Sequence, residues 1–313
     1  MLKYVIKRII LVFPILLGVV FMVYFIMDFT PGDPALRKLG NDAPPEAIEA
    51  LREEMGLNRS FPERFVTYIW DIVTKFDFGE SWRTGKPVFD EILPRIPVTF
   101  KLNLIALCVA TAIGVPLGVF SAVKQNSLGD NIMRVLATVM VAMPGFWMAM
   151  LLILLFALRL ALLPPSGFES WKHLVLPVVC VSGPLGCRIL RMTRSSMLES
   201  IREDFVRTAR AKGVPQRKVT YQHALKNALL PVVTTIGSTL GGALGGSIIL
   251  ENVFAIPGPG TLVVLSIRSK DIPMMLACVL VSASFFALVM VLVDVVYALV
   301  DPRIKAKYAK KKK

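Results

Sequence analysis

Six apolar stretches constrain this chain more than any other feature. They fall near residues 9–27, 98–123, 133–160, 174–195, 229–250 and 275–300, and each can cross an apolar layer of about 30 Å at a helical rise of about 1.5 Å per residue. A backbone in lipid must satisfy its own hydrogen bonds, so such stretches predict helices. Pro177, Gly183, Pro184 and Gly186 interrupt the fourth, and glycines from Gly237 to Gly246 dilute the fifth. Both remain tolerable where neighbouring helices surround the backbone. A hydrophobic content of 55% exceeds the soluble average of about 45–50%. The expected fold is therefore an all-α integral membrane protein with six transmembrane helices.

Charge distribution orients those helices. Residues 1–8 carry net +3, 124–134 net +1, 188–226 net +7 and 301–313 net +6, whereas 28–97 carry nine positive and thirteen negative side chains and the segments 161–173 and 251–273 are neutral. Basic ends and basic alternate loops place both termini in the cytoplasm by the positive-inside rule. The overall charge of +14 thus reports orientation and not nucleic-acid binding. The basic run Lys310–Lys313 reads as a solvated tail that touches lipid head groups. A cleaved signal peptide is excluded for residues 1–27, because the apolar run is too long and lacks a small-x-small site. Cys108, Cys180, Cys187 and Cys278 all fall inside apolar stretches and imply no disulfide framework. The organisation is then residues 1–27 as N-terminus and first span, 28–97 as an extracytoplasmic segment, 98–300 as a five-helix core, and 301–313 as a cytoplasmic tail.

Within the core, the loop 196–228 is longer than a connector needs to be. Met197, Ile201, Phe205 and Ala209 recur every four residues and predict one apolar helical face, with Arg202, Arg207, Arg210 and Lys212 pointing elsewhere. Gly213 suits a left-handed helix cap, and Pro215 stops simple continuation. Such a basic helix-turn-helix between two spans predicts a contact surface for another protein. In the outer segment, Ser60-Phe-Pro-Glu63 has the form of a capping box. It leads into an apolar stripe of Phe65, Ile69, Ile72, Val73 and Phe76, and Pro44–Met55 predicts a second short helix capped by Gly56. This segment either lies on the membrane or covers the mouths of the spans, as a packing lid or as a platform for a soluble partner.

Catalytic constellations are missing. Gly79–Pro87 resembles a phosphate loop but has the wrong spacing and Pro87 where a hydroxyl is needed. His173 and His223 are expected on opposite sides of the bilayer, so they share no metal. No catalytic or metal residue is assigned, and any nucleotide chemistry must reside on another chain. Lys101 and Arg159 lie near span ends and snorkel. Asp294, about 10 Å deep at helical rise, is expected to form a structural ion pair with Arg188, Arg191 or Arg194, which share a face. Gly237, Gly241 and Gly245 suit close helix packing. A translocation route lined by Gly241, Gly245, Ser182, Thr235, Ser238 and Ser247 is the alternative.

These residues carry a resemblance. Phe29-Thr-Pro-Gly-Asp-Pro34, Gly56-Leu-Asn, Phe78-Gly-Glu-Ser81, Ile96–Leu102, Arg207–Gly213, His223–Pro231, Glu251–Gly260 and Val300–Ile304 together resemble the permease subunits of binding-protein-dependent ABC importers, in the dipeptide, oligopeptide and nickel group. In that family the cytoplasmic signature is Glu-Ala-Ala, three residues, Gly, nine residues, then Ile-x-Leu-Pro. Here Arg207-Thr208-Ala209 replaces the triplet, Gly213 matches, His223 takes the Ile position, Leu225 matches and Lys226 replaces Pro. The resemblance implies a coupling helix between the fourth and fifth spans, with Ile201, Phe205, Arg207, Thr208, Ala209, Lys212, Gly213 and His223 at an ATPase contact. It also implies a second homologous permease, two cytoplasmic ATPases holding ATP and Mg, and an extracytoplasmic substrate-binding protein, in the inner membrane of a bacterium. Peptides are the expected substrate, with nickel chelates, glutathione or opines as alternatives. A secondary transporter working alone would need a midplane ionisable site or an inverted repeat.

Overall fold

The computed structural model describes the backbone of residues 2–40 and 42–300, and the side chains within these except 2–5, 7–9, 239–246, 294 and 296–300. The predicted tail 301–313 lies outside the described residues. Helices account for nearly everything described, and an isolated bridge between Glu80 and Pro87 takes the place of any sheet there. In chain order they are α1 (Leu2–Phe29), α2 (Pro34–Leu39), α3 (Pro45–Glu54), α4 (Phe61–Lys75), α5 (Val88–Ile92), α6 (Ile96–Val123), α7 (Leu128–Ala142) and α8 (Gly145–Leu152). Then follow α9 (Trp171–Arg202), α10 (Asp204–Ala211), α11 (Gln216–Lys218), α12 (Leu225–Val253), α13 (Pro259–Ser269) and α14 (Ile272–Val300).

Helix starts obey the local chemistry. Asp33 caps α2 through the N–H of Ala35, and Ser127 caps α7 through that of Asp130. At α4, the Glu63 carboxylate reaches back to the Ser60 N–H at 3.2 Å, completing the capping box read from the sequence. The chain leaves α4 through Phe76 in the left-handed region, at φ 55°.

The third apolar stretch differs from expectation. It does not form one helix across 133–160, because α7 and α8 meet at an angle of 105°. Pro144 explains the break, since it offers no N–H and its ring collides with the carbonyl one turn back. Met143 before it is accordingly extended, at ψ 130°. Beyond α8 the chain continues as a π-helical stretch, Ile153–Arg159. Among the described residues, four helices are long and apolar enough to cross a membrane, and the bent α7–α8 pair makes a fifth if it is one span. The fifth expected span, 229–250, falls within α12, whose side chains 239–246 lie outside the described residues.

Packing centres on α6 and α9, the most extensive helix pair among the described residues. Their backbones approach closely at two glycines. A Cβ on Gly114 would sit 2.6 Å from the Gly186 carbonyl oxygen, and one on Gly118 would sit 2.6 Å from the Thr193 Cβ and 2.7 Å from the Leu190 carbonyl. Leu102, Ala106, Met148, Leu176, Cys180 and Phe254 extend this contact into a core shared by α6, α8, α9 and the end of α12. On the other flank, Val20, Tyr24 and Met27 of α1 pack on Ile272, Met275 and Leu276 of α14.

The outer segment is fastened to the turn between α13 and α14. The buried Asp271 carboxylate accepts from the Ser81 hydroxyl at 2.5 Å, the Trp82 N–H at 3.1 Å and the Arg83 N–H at 3.3 Å. Its neighbour Lys270 is also buried and donates to the carbonyls of Thr30 and Gly32. Burial pulls that ammonium below the ordinary lysine pKa.

Gly118→Ala should destabilise the protein by about 1–3 kcal/mol, the usual cost of overpacking, because its obstruction includes rigid backbone. Gly18→Ala should be tolerated, since no atom lies within 4 Å of the added methyl. Thermal unfolding in detergent compares the two, and equal midpoints would show that the close approach is not needed.

Candidate functional site

The loop between α9 and α12 is built as a folded lobe. After Arg202 the helix stops at Glu203, which is extended at ψ 151°, and restarts as α10. Gly213 ends that helix at φ 73°, and the Val214 N–H bonds the Ala209 carbonyl at 3.2 Å. The region thus takes the left-handed turn and helix stop that Gly213 and Pro215 predict. From Pro215 the chain returns through α11 and a π-helical stretch, Val219–Ala224, into α12.

One side of α10 is packed and the other is free. Val206 and Ala209, one turn apart, are buried against Met197 of α9, Val219 and Ala224 of the returning stretch, and Val119 and Ala122 of α6. The Ser200 hydroxyl ties the seam by donating to the Ala224 carbonyl at 2.9 Å. Phe205, Arg207, Thr208, Arg210 and Lys212 are exposed. The single stripe Met197–Ile201–Phe205–Ala209 is therefore corrected, because extended Glu203 interrupts the helical phase. Met197 and Ala209 face the seam with Ile201 partly buried beside them, while Phe205 is turned outward at 39% exposure. Gly213 is exposed at the tip, and His223 is half-buried in the π-helical stretch.

An ion pair braces the frame above the lobe. Asp130, at the start of α7, is fully buried and takes a fork from Arg194 of α9, with Nε at 2.7 Å and a terminal nitrogen at 2.8 Å. The Ser121 hydroxyl and the Asn126 N–H supply its other donors. The expected pairing of Asp294 with Arg188 or Arg191 falls on an acid whose side chain lies outside the described residues. Arg188 and Arg191 are exposed on α9.

A second buried acid, Glu251, lies near the opposite end of α12. One carboxylate oxygen accepts from Thr99 of α6 at 2.5 Å and Ser247 at 3.0 Å, and the other from the Gly260 N–H at 2.7 Å. A Cβ on Gly258 would meet that carboxylate at 2.3 Å. The side chain borders a cavity of about 320 Å³ lined chiefly by apolar groups, among them Phe100, Val263 and Phe286. Of the polar residues proposed for a route, Ser247 is thus engaged with Glu251 and Ser182 is buried on α9. Thr235 and Ser238 donate to α12 carbonyls, at Pro231 and Thr235. Gly241 and Gly245 fall among the residues whose side-chain surroundings are not described.

Sequence reasoning did not assign Asp130 or Glu251. A signal existed for each: Asp130 lies three residues after a serine suited to cap a helix, and Glu251 precedes Pro257-Gly-Pro-Gly260, where glycines permit close approach. The four cysteines are free, and no group of metal-binding side chains exists among the described residues.

Two family models match this chain. Residues 114–306 match the binding-protein-dependent transport system inner membrane component, and residues 1–103 match the N-terminal family of the same membrane components. The dipeptide transport system permease DppB of Alkalihalophilus pseudofirmus is 39% identical over 333 residues, covering 97% of this chain and all of that one. The glutathione transport system permease GsiC of Escherichia coli K12 is 38% identical, covering 98% of this chain and all of its own length. Among solved structures, an inward-facing MetNI methionine ABC transporter aligns with 69% of this chain and 98% of its own, at a TM-score of 0.57 and 18% identity. That likeness concerns the fold.

Asp130→Asn should cost about 3–5 kcal/mol, because it leaves the Arg194 charge without its carboxylate in a partly buried site. Adding Arg194→Leu should recover a large part of that loss. A double-mutant cycle on thermal unfolding of the assembled complex measures the coupling, and simple additivity would mean that the pair is not a brace.

Proposed function

The chain belongs to the binding-protein-dependent transport system inner membrane components, and from that premise we propose how it works as the transmembrane permease subunit of an ATP-driven importer of short peptides. The reading is carried by full-length similarity to peptide and glutathione permeases, together with a cytoplasmic-type lobe whose α10 is packed on one side and free on the other. Glutathione is itself a short peptide, so a substrate class of small peptides accommodates both relatives.

In this mechanism the subunit is non-catalytic and forms half of a route completed by a second homologous permease. ATP and Mg are held by two ATPase subunits beneath it, and an extracytoplasmic binding protein delivers the substrate. Six spans place both termini in the cytoplasm of a bacterial cell, in keeping with the positive-inside charge pattern. The free side of α10, with Phe205, Arg207 and Thr208, inserts into a groove of the ATPase. Ala209 takes a different part from the other predicted contacts: it fills the seam beneath α10 and holds the helix to α9 and α12. Gly213 sets the turn that lets the helix stand off from the chain's return, where any other residue pays for a positive φ.

Movement follows from the same attachments. When the two ATPases close on nucleotide, each pulls an α10 with it, and the packed seam passes that displacement to α9 and α12. The route alternates in consequence between faces of the membrane. Selection of substrate is assigned to the binding protein, because the described residues offer no metal cluster and the Glu251 carboxylate is already held by three donors.

Phe205→Ala combined with Arg207→Glu should lower substrate-stimulated ATP hydrolysis by the assembled importer about tenfold, or ~1.4 kcal/mol of coupling, without altering the subunit's own thermal midpoint. A bulky residue at Ala209 should lower both. Unchanged stimulation in the Phe205/Arg207 variant would overturn the coupling assignment. Uptake by liposomes holding the chain without an ATPase would overturn the importer reading itself.

A further inference from the structure

We propose that α4 is seated in the outer leaflet of the membrane, with phospholipid acyl chains covering its exposed apolar stripe and filling the groove it forms with α1 and α14. This removes α4 from any platform for a soluble partner.

The depth of α4 follows from its neighbours. Its first residue, Phe61, packs its ring on Tyr24 and Phe25, at centroid distances of 5.5 and 5.9 Å. Arg64 pairs with Asp28 at 2.5 Å, next to the outer end of α1. From there α4 descends, and Ile72, Val73 and Phe76 line a groove of about 450 Å³ with Leu16 and Leu17 of α1 and Leu280 of α14. Leu280 lies about 12 Å along α14 from Ile272 at helical rise. Half of the hydrocarbon core is only about 15 Å thick. The end of α4 therefore sits beside membrane-spanning helices at acyl-chain level. Phe76, in its left-handed conformation, then turns the chain back toward Ser81 and its bond to Asp271 at the outer turn.

Three stripes divide the surface of α4. Phe65, Tyr68 and Ile69 pack against α1 and α14. Arg64, Thr67 and Asp71 form a polar stripe that borders the rest of the outer segment. The third stripe is apolar and unprotected, with Val66 63%, Trp70 65%, Val73 76% and Phe76 69% exposed. A contiguous apolar patch of this kind marks an interaction surface. It runs through the groove into exposed Phe13 and Leu17 of α1, a helix whose outward side already meets lipid. Continuity with that lipid-facing surface identifies the occupant. Trp70 suits such a site, because its ring is amphipathic. Lys75 does not oppose it, since the ammonium is paired with Asp71 at 2.8 Å.

The test uses the assembled importer in nanodiscs, with Trp82, Trp147 and Trp171 of this chain replaced by Phe and the same complex carrying Trp70→Phe as well subtracted as blank, so that the difference reports Trp70. Lipid brominated on its acyl chains should quench Trp70 emission, and adding a binding protein should leave that quenching unchanged. Emission indifferent to bromine would overturn the proposal. Should the triple variant fail to assemble, single cysteines give a second measurement against the wild-type chain as blank. Thr67→Cys should react with a membrane-impermeant maleimide and Val73→Cys should not. Equal labelling of the two would overturn the proposal. So would protection of Val73→Cys that appears only when the binding protein or a second permease is present, because that protein would then be the occupant.

Discussion

Everything else in the molecule is arranged around the contact of α6 with α9, where two glycines let the backbones touch. The distances leave no room for a side chain on Gly114 or Gly118, so the two helices pack backbone to backbone. In lipid no hydrophobic force drives helices together, and close packing of small residues has to supply the attraction. The same pair carries the ends of the working parts. Arg194 of α9 holds Asp130 at the start of α7, Thr99 of α6 holds Glu251 of α12, and α9 continues directly to the break before α10.

Much of this was legible in the sequence, because its signals are local. Stretch length predicts the long apolar helices, the Ser60–Glu63 box predicts the start of α4, and Gly213 with Pro215 predicts the turn after α10. What escaped prediction depends on long-range geometry or on one backbone unit. Pro144 ends α7, but the 105° turn of the chain there is set by packing. Extended Glu203 shifts the helical phase, which no count of residues at four-residue spacing reveals. Asp130 and Glu251 are acidic residues beside apolar runs, and one partner of each, Arg194 and Thr99, lies 64 and 152 positions away in the chain.

The two buried acids solve one physical problem in different ways. A carboxylate removed from water costs several kcal/mol unless its lone pairs are met. Asp130 meets that cost with a guanidinium fork and two lesser donors, forming a charged brace near the lobe between α9 and α12. Glu251 has no described cation against it and relies on two hydroxyls and a backbone N–H, with Gly258 and Gly260 leaving space for the carboxylate. The first arrangement resists separation of α7 from α9. The second fixes α6, α12 and the start of α13 at the other end, so the core is pinned at both ends and left apolar between.

The lobe must be understood against that pinned core. An isolated helix of eight residues is too short to persist in water, so α10 owes its shape to the seam and to its two fixed ends. Burying Val206 contributes only about 1.5–3 kcal/mol, and Ala209 adds less because it has a single methyl. The seam holds few atoms, and it touches α9, α12 and α6 at once through Met197, Ala228 and Val119. A partner that grips the free side of α10 acts on three core helices through one small contact. In that geometry the side chains that touch the partner and those that transmit its motion are different residues on the same helix.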